Sequence, residues 1–172
     1  MNDFIIKLGA LTNGISSFSF DIKDQFFEAF TLSDVEKADI IATALLDKDG
    51  DKIGLKLRID GEIHNQLCDI CAEEISIDIT AETDVLLKIT DENLYSTDEI
   101  FYIKKSESSL NLKQLIFEII ILNLPNKRQH PFDEEGNSTC NEEMVDLVLK
   151  YTEVEKKSSD PRWDALKNLK IK

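Results

Sequence analysis

Three long apolar-rich runs constrain the fold more than any other feature of this 172-residue chain. They cover Asp39–Leu46, Lys52–Gln66 and Ile75–Ile89, and they are rich in isoleucine, leucine and valine. At the start of the third run isoleucine alternates with polar residues, which is the pattern of a strand with one buried and one solvated face. Gly50 lies in a short polar segment between the first two runs and is suited to a hairpin turn. The sequence therefore predicts an antiparallel sheet with one covered face.

Helical patterns follow the strands. Asn111 is positioned to cap a helix over Leu112–Asn123, and this helix is apolar on nearly every side, as buried helices are. A second helix is predicted over Cys140–Tyr151, with Thr139 and Glu142 as its capping box. We therefore predict an α+β fold, in which an antiparallel β-sheet has one face covered by a buried helix and by C-terminal helices.

Composition and segment lengths set the predicted domain organisation. A hydrophobic content of 42% can fill a core, so residues 1–152 are expected to form a single α+β domain. Residues 153–172 are expected to be a linker and a short docking helix that starts at Asp160-Pro161. The sequence contains no apolar run long enough to span a membrane and no recognisable secretory leader. With reduced thiols expected for its three cysteines, the chain is predicted to be cytoplasmic, with no membrane partner.

The charge distribution bears on possible partners. The formal net charge is −14, and the last twelve residues carry +3, which leaves −17 on the rest. Such a body repels phosphate unless a basic patch faces the RNA. The residues that could form this RNA- or partner-binding patch are Lys127, Arg128, Arg162, Lys167 and Lys170. The alternative is that they are ordinary solvated charges.

The most specific chemical feature is the motif Cys68-Asp69-Ile70-Cys71. Two cysteines at this spacing can bind one zinc ion, and a closed tetrahedral site then needs two further ligands. Cys140 is the only other cysteine, and His130 is one of two histidines. A site formed by all four would tie the strand block to the helical block. Two alternatives stay open: buried thiols beside a surface histidine, and a redox dithiol, although the strand pattern after Cys71 is the wrong context for the latter.

No catalytic motif accompanies these residues in the sequence. The chain has no glycine-rich phosphate loop and neither a serine-hydrolase nor a zinc-protease motif. Its adjacent acidic residues lie in stretches too polar to promise the burial that shifts a carboxyl pKa. We therefore expect no enzymatic activity and no small-molecule substrate.

Taken in order, these motifs resemble the YceD-like family, also called large ribosomal RNA subunit accumulation proteins, and particularly its Bacteroidetes-type members. The resemblance covers roughly residues 20 to 172. It is carried by the following set: Cys68-x-x-Cys71, the segment from Leu112 through Glu118 to Leu124-Pro125, His130, Cys140, and Asp160-Pro161-Arg162-Trp163. The family has no established catalytic residues that could be carried over, and the cysteine and histidine positions match its recurrent metal-like constellation.

The resemblance implies a non-catalytic factor in ribosome biogenesis that supports accumulation or processing of large-subunit (23S) rRNA. The implied partner is a large-subunit precursor, 23S rRNA, a basic ribosomal protein or another assembly factor. RNA contact through the basic residues and capture of a basic protein on the acidic sheet are both compatible with this role. The alternative functions are a zinc-stapled protein-interaction module without a ribosomal role, and a thiol oxidoreductase that uses Cys68 and Cys71.

Overall fold

The structure is a computed structural model that describes residues 4–31, 33–50, 52–92, 94–95, 97 and 99–152. The chain divides into two compact units. The first, here called the sheet unit, comprises Met1–Leu67 and Glu74–Arg128. The second, the cysteine unit, comprises Cys68–Glu73 and Gln129–Lys172. The predicted linker and docking helix at 153–172 lie outside the described residues, so the predicted domain boundary stays a prediction.

Strands dominate the described residues, with 47% in strands and 19% in helices. A five-stranded sheet has the order β2-β3-β4-β5-β6, and β1 pairs with β7 in a separate two-stranded ribbon. The elements in chain order are β1 (Ile5–Lys7), a 3₁₀ turn (Leu8–Ala10), β2 (Gly14–Ile22), α1 (Asp24–Phe27), β3 (Lys37–Asp49), β4 (Lys52–Leu67), β5 (Glu74–Thr90), β6 (Ile100–Lys104), β7 (Ser109–Asn111), α2 (Lys113–Leu122) and α3 (Glu142–Thr152).

In the strands of the main sheet, apolar and polar residues alternate as the sequence predicted, and the apolar residues are the buried ones. Positions of one parity along the strands face the core of the sheet unit, and those of the other parity face solvent. The fully buried side chains of the sheet include Ile22, Ile40, Leu46, Leu55, Leu57, Ile59, Ile63, Leu87 and Ile103. They pack with Ile6, Leu112 and Ile116 and with the phenylalanines of α1 in one hydrophobic cluster. This continuous apolar face is what holds the sheet unit together.

The predicted α+β class is wrong, because the protein is mostly β and its main sheet is mixed. The last strand, β6, runs parallel to β5, with Leu86 paired to Ile100 and Thr90 paired to Lys104. Nothing in the short apolar run of β6 specifies the direction in which it pairs, so the sequence did not reveal the parallel step. The strands β3 and β5 also continue through polar residues beyond the apolar runs, since hydrogen bonding to a neighbouring strand does not require apolar side chains.

Helix α2 is too short to cover a face of the main sheet, as the predicted α+β fold required. Its ten residues span about 15 Å, which is too short to cover strands of thirteen to seventeen residues. Asn111 accepts a hydrogen bond from the backbone amide of Lys113, as the sequence predicted for its cap. Burial is confined to one side of the helix, however, and Leu122 is 81% exposed. The prediction of a helix buried all round is therefore wrong. In the described part of the chain no helix has the length and hydropathy needed to cross a membrane.

Candidate metal centre

The Cys68–Cys71 motif forms a tight turn at the end of β4. The backbone amide of Cys68 donates to the carbonyl oxygen of Glu73 at 2.9 Å, and that of Ala72 donates to the carbonyl oxygen of Cys68 at 2.9 Å. The amide of Ile70 lies 3.5 Å from Cys68 Sγ. Both thiol side chains are buried. A turn of this kind presents two sulfurs to one point and supplies amide donors to a sulfur, which is how a CxxC pair holds a metal.

Ala72, directly after the second cysteine, has a φ of +57°. Side chains with a Cβ rarely adopt this left-handed conformation, which glycine adopts without cost. This conformation turns the chain so that the carbonyl oxygen of Glu73, one residue further on, accepts from the amide of Cys68. A glycine at position 72 would have indicated a positive φ and hence a turn, whereas an alanine gives no such indication.

The second pair of candidate ligands is brought together by a loop that folds back on itself. Phe132 and Ser138 form an antiparallel bridge, and Gly136 between them has a φ of +84°. The Thr139 hydroxyl donates to the carbonyl oxygen of Pro131 at 2.7 Å. These contacts bring the residues that flank the loop close to each other. The loop thus places the imidazole of His130 next to the Cys140 thiol, as its bend-prone sequence predicted.

Asp133 closes the tip of the same loop. Its carboxylate accepts hydrogen bonds from the backbone amides of Asn137 and Glu135, at 2.7 and 3.0 Å. The backbone and side-chain donors of Asn137 lower the pKa of Asp133 below its ordinary value, with smaller contributions from the amides of Glu135 and Gly136. Asp133 therefore acts as an acidic clamp on the turn.

All four predicted ligands converge. Their donor atoms, three cysteine sulfurs and one histidine nitrogen, lie within 4.8 Å of one another. Cys68 Sγ is 3.7 Å from Cys140 Sγ, and His130 Nδ1 is 3.4 Å from Cys71 Sγ and 3.7 Å from Cys140 Sγ. Bond lengths of about 2.3 Å to sulfur and about 2.0 Å to nitrogen give tetrahedral edges of about 3.8 Å between sulfurs and about 3.5 Å between sulfur and nitrogen. These three separations are close to those edges, and the four side chains lie near enough together to hold a metal ion.

The proton equilibria of the CxxC pair also suit a metal ligand. Burial raises the pKa of Cys68, but hydrogen bonds from the backbone amides of Cys71 and Ile70 and from His130 outweigh it and lower that pKa to about 6. Burial raises the pKa of Cys71, and the adjacent Cys68 sulfur raises it further. At neutral pH Cys68 is therefore favoured as a thiolate, and its negative charge opposes ionisation of Cys71. A divalent cation removes that opposition, since thiolates are the metal-binding form.

Asn141 connects the two halves of the cluster within the cysteine unit. Its side-chain amide donates to Glu73 Oε1 at 3.0 Å, next to the CxxC turn. Its side-chain oxygen accepts from the backbone amide of Met144 at 3.3 Å, so Asn141 is the N-cap of α3. The predicted cap, Thr139, instead bonds to Pro131. The sequence pattern did not distinguish the two caps, because asparagine and threonine both cap helices and Asn141 lies only two residues after Thr139.

Two of the five predicted RNA- or partner-binding residues, Lys127 and Arg128, lie among the described residues. Lys127 is exposed. Arg128 donates from its guanidinium to Gln66 Oε1 at 2.8 Å, and Gln66 is 2% exposed. Arg128 thus satisfies a buried amide of the sheet unit. The remaining three, Arg162, Lys167 and Lys170, lie outside the described residues.

Fold and site together define a mostly β protein with a Cys₃His cluster that can hold a metal ion. A model of the family described as large ribosomal RNA subunit accumulation protein YceD matches residues 55–170, about two thirds of the chain. The chain belongs to the YceD family. The family resemblance read from the ordered motifs is therefore confirmed, and the matched range includes all four cluster residues. Searches of curated proteins and of solved structures gave no significant match.

Proposed function

We propose that this protein supports the accumulation of large-subunit (23S) rRNA as a non-catalytic factor in ribosome biogenesis. The observation that carries the proposal is the family match over residues 55–170. The family's description names accumulation of the RNA and no chemical reaction. The cluster chemistry agrees with such a role, because four protein ligands leave no open metal position for water or a substrate. Ribosome assembly also makes the cytoplasm the proposed location.

The proposed cofactor of the cluster is zinc. Three sulfurs and one imidazole nitrogen at tetrahedral spacing form a donor set that zinc favours, whereas calcium and magnesium require oxygen ligands. Bound there, zinc would supply a structural cross-link. Cys68 and Cys71 would hold it from the CxxC turn, and His130 and Cys140 from the two ends of the folded loop. The side chains thereby fix the cysteine unit in one conformation.

RNA contact is proposed for Lys127, together with Arg162, Lys167 and Lys170. Arg128 is less available, because its guanidinium already bonds to Gln66. The test is the salt dependence of binding to a 23S rRNA fragment, which becomes shallower when a phosphate contact is removed. Lys127→Glu should lower both the affinity and this slope. Lys88→Glu, at another exposed lysine, makes the same charge change outside the proposed patch and controls for net charge.

The functional test uses the only two histidines of the chain as a matched pair. Cells that lack the gene are complemented with the wild-type chain, with His130→Gln or with His64→Gln. The ratio of 23S to 16S rRNA is then measured. The proposal expects the wild type and His64→Gln to restore the ratio and His130→Gln to fail. A normal ratio in the deleted cells would contradict the role in rRNA accumulation, and full rescue by His130→Gln would contradict the role of the cluster.

The alternative role, a zinc-stapled interaction module with no ribosomal function, makes a different prediction. Under it the purified chain still binds zinc, but deletion leaves the rRNA ratio and the sedimentation of ribosomal subunits unchanged. Under the proposed function the chain also co-sediments with immature large subunits at low salt. The two functions are thus separated without reference to the metal.

A further inference from the structure

Two glycines of β4 occupy very different surroundings. A Cβ added to Gly61 would lie 2.3 Å from the carbonyl oxygen of Asp39 and 2.6 Å from the Cα of Ile40, so this glycine is required by the approach of β3. A Cβ added to Gly54 would meet only the carbonyl oxygen of Asp47, at 4.0 Å. Gly54 therefore has no packing reason to be glycine. Its effect is to leave bare backbone on the solvent face of the sheet, a feature that often marks close approach by another molecule.

Aliphatic side chains surround this bare position. The strand register places Leu86 beside Gly54 on β5, Asp47 beside it on β3, and Ile15 beyond Asp47 on β2. Leu45 lies one outward position along β3. Together they border an open groove of about 480 Å³ within the sheet unit. Ile15, Leu45 and Leu86 are 76%, 37% and 45% exposed, so much of their apolar surface faces solvent and is not packed in the core.

The clustering is local rather than general to this face. Two rows further along the same surface, the register aligns Ser19, Thr43, Arg58 and Glu82, which are all polar. Such residues are what a solvated sheet face normally carries. Ile41, which is 50% exposed, also lies on this face, but its paired neighbours Asp21 and Asp60 are polar. The aliphatic side chains around Gly54 depart from the pattern as a group.

The rim of the groove is acidic. Carboxylates of Asp47, Asp84 and Glu99 line it, and Lys56 is the only lining cation among the described residues. Lys56 Nζ lies 2.6 Å from Glu82 Oε1, and Asp84, which is paired with Lys56 across β4 and β5, also attracts its charge. Among the described residues no cation lies within ion-pair distance of Asp47 or Glu99. A groove with aliphatic walls and a rim of net negative charge is complementary to an apolar side chain flanked by cations.

We propose that the groove around Gly54, floored by bare backbone, walled by Ile15, Leu45 and Leu86 and rimmed by carboxylates, binds a lysine- or arginine-rich segment of a partner protein through an aliphatic anchor. The anchor covers the exposed aliphatic side chains, and the flanking cations face Asp47, Asp84 and Glu99. This interaction goes beyond the proposed function and does not depend on it. All lining residues belong to the sheet unit, and none is a ligand of the metal cluster.

The test measures binding of a short synthetic peptide with a central run of leucines flanked by lysines, by isothermal titration calorimetry with the full chain. Gly54→Leu fills the groove without altering the net charge, and should weaken binding by at least about tenfold. Ser19→Leu adds the same side chain to the same face outside the groove, and should leave the affinity within about twofold. Asp84→Asn combined with Glu99→Gln should weaken binding and flatten its salt dependence.

Two control peptides separate the proposed mode from general attraction to an acidic protein. Replacing the leucines with serine, or the lysines with glutamate, should abolish measurable binding. Equal affinity for the leucine-free peptide would overturn the proposal, because binding would then be Coulombic alone. Unchanged affinity of Gly54→Leu, or no binding of the lysine–leucine peptide to the wild type, would overturn it as well. If Gly54→Leu does not fold, the combined variant Asp84→Asn and Glu99→Gln takes its place, and an unchanged affinity of that variant would overturn the proposal.

Discussion

The contrast between Gly61 and Gly54 gives the most sharply calculable prediction. Gly61→Ala puts a methyl group 2.3 Å from the carbonyl oxygen of Asp39, more than 1 Å inside an ordinary contact, and at a φ of +156°. The neighbouring atoms are backbone, so no side chain can rotate away. Relief requires β3 and β4 to separate, which breaks hydrogen bonds in the middle of the sheet.

The expected cost follows from two parts. A residue with a Cβ in this region of φ costs about 1–3 kcal/mol. Forcing extra volume into a packed site costs about 1–3 kcal/mol more. Gly61→Ala should therefore lower the free energy of unfolding by about 2–6 kcal/mol, a large part of the stability of an ordinary domain. Gly54→Ala adds the same methyl group in open space, and should change stability by no more than about 1 kcal/mol, in the stabilising direction.

Both variants are compared by urea unfolding of the full chain, followed by the circular dichroism of the strands. The expected result is a much lower midpoint for Gly61→Ala and an unchanged or slightly higher midpoint for Gly54→Ala. Free energies of unfolding that agree within about 0.5 kcal/mol between the two variants would refute the reasoning. They would mean that β3 and β4 do not approach as described, and that the open floor at Gly54 is not special.

Three further predictions concern the cysteine unit. Cys140→Ser removes one of the four proposed zinc ligands. If the zinc-binding free energy of about 10–16 kcal/mol is divided equally among the four ligands, this variant should lose roughly a hundredfold to a thousandfold in zinc affinity. Competition with a chromophoric chelator measures that loss. An unchanged affinity would exclude Cys140 as a ligand. Ala72→Gly relieves a left-handed alanine, and should raise the thermal stability of the zinc-loaded chain by up to about 1 kcal/mol; a loss would contradict the turn geometry. Because the folded pKa of Asp133 is depressed, its clamp stabilises the turn above the unfolded value of about 4 and is lost as the pH falls through the folded pKa. An NMR titration should show the Asp133 pKa rising towards normal in Asn137→Ala, and an unmoved pKa would count against the clamp.

The parts of the fold that the sequence predicted are those governed by side-chain burial. The alternation after Ile75 and the turn at Gly50 specify strands β3 to β5, because period-two burial is visible in residue types. The direction of β6 depends on backbone pairing, which residue types do not encode. The bulge of β4 shifts the register between Ile63 and Gln66, with Asn65 at a φ of +56°. A single asparagine within a strand pattern is not enough to predict a bulge and its register shift.

The candidate site was predictable in its ligands but not in its supports. Few residue types bind zinc well, so three cysteines and two histidines left a small set of combinations. The supporting contacts use common residues whose roles depend on position: the left-handed Ala72, the cap and bridge by Asn141, and the clamp by Asp133. Arg128 shows the converse problem. Its charge favoured a surface role, and only the structure reveals the buried amide of Gln66 that it satisfies.

The central claim is that Cys68, Cys71, His130 and Cys140 bind one zinc ion. X-ray absorption at the zinc edge of the purified chain tests it most directly. We expect one zinc per chain and a first shell of three sulfurs at about 2.3 Å and one nitrogen at about 2.0 Å. In His130→Gln the nitrogen scatterer should disappear, while in His64→Gln the shell should stay unchanged. A chain purified with zinc available that holds none, or a shell dominated by oxygen, would contradict the account.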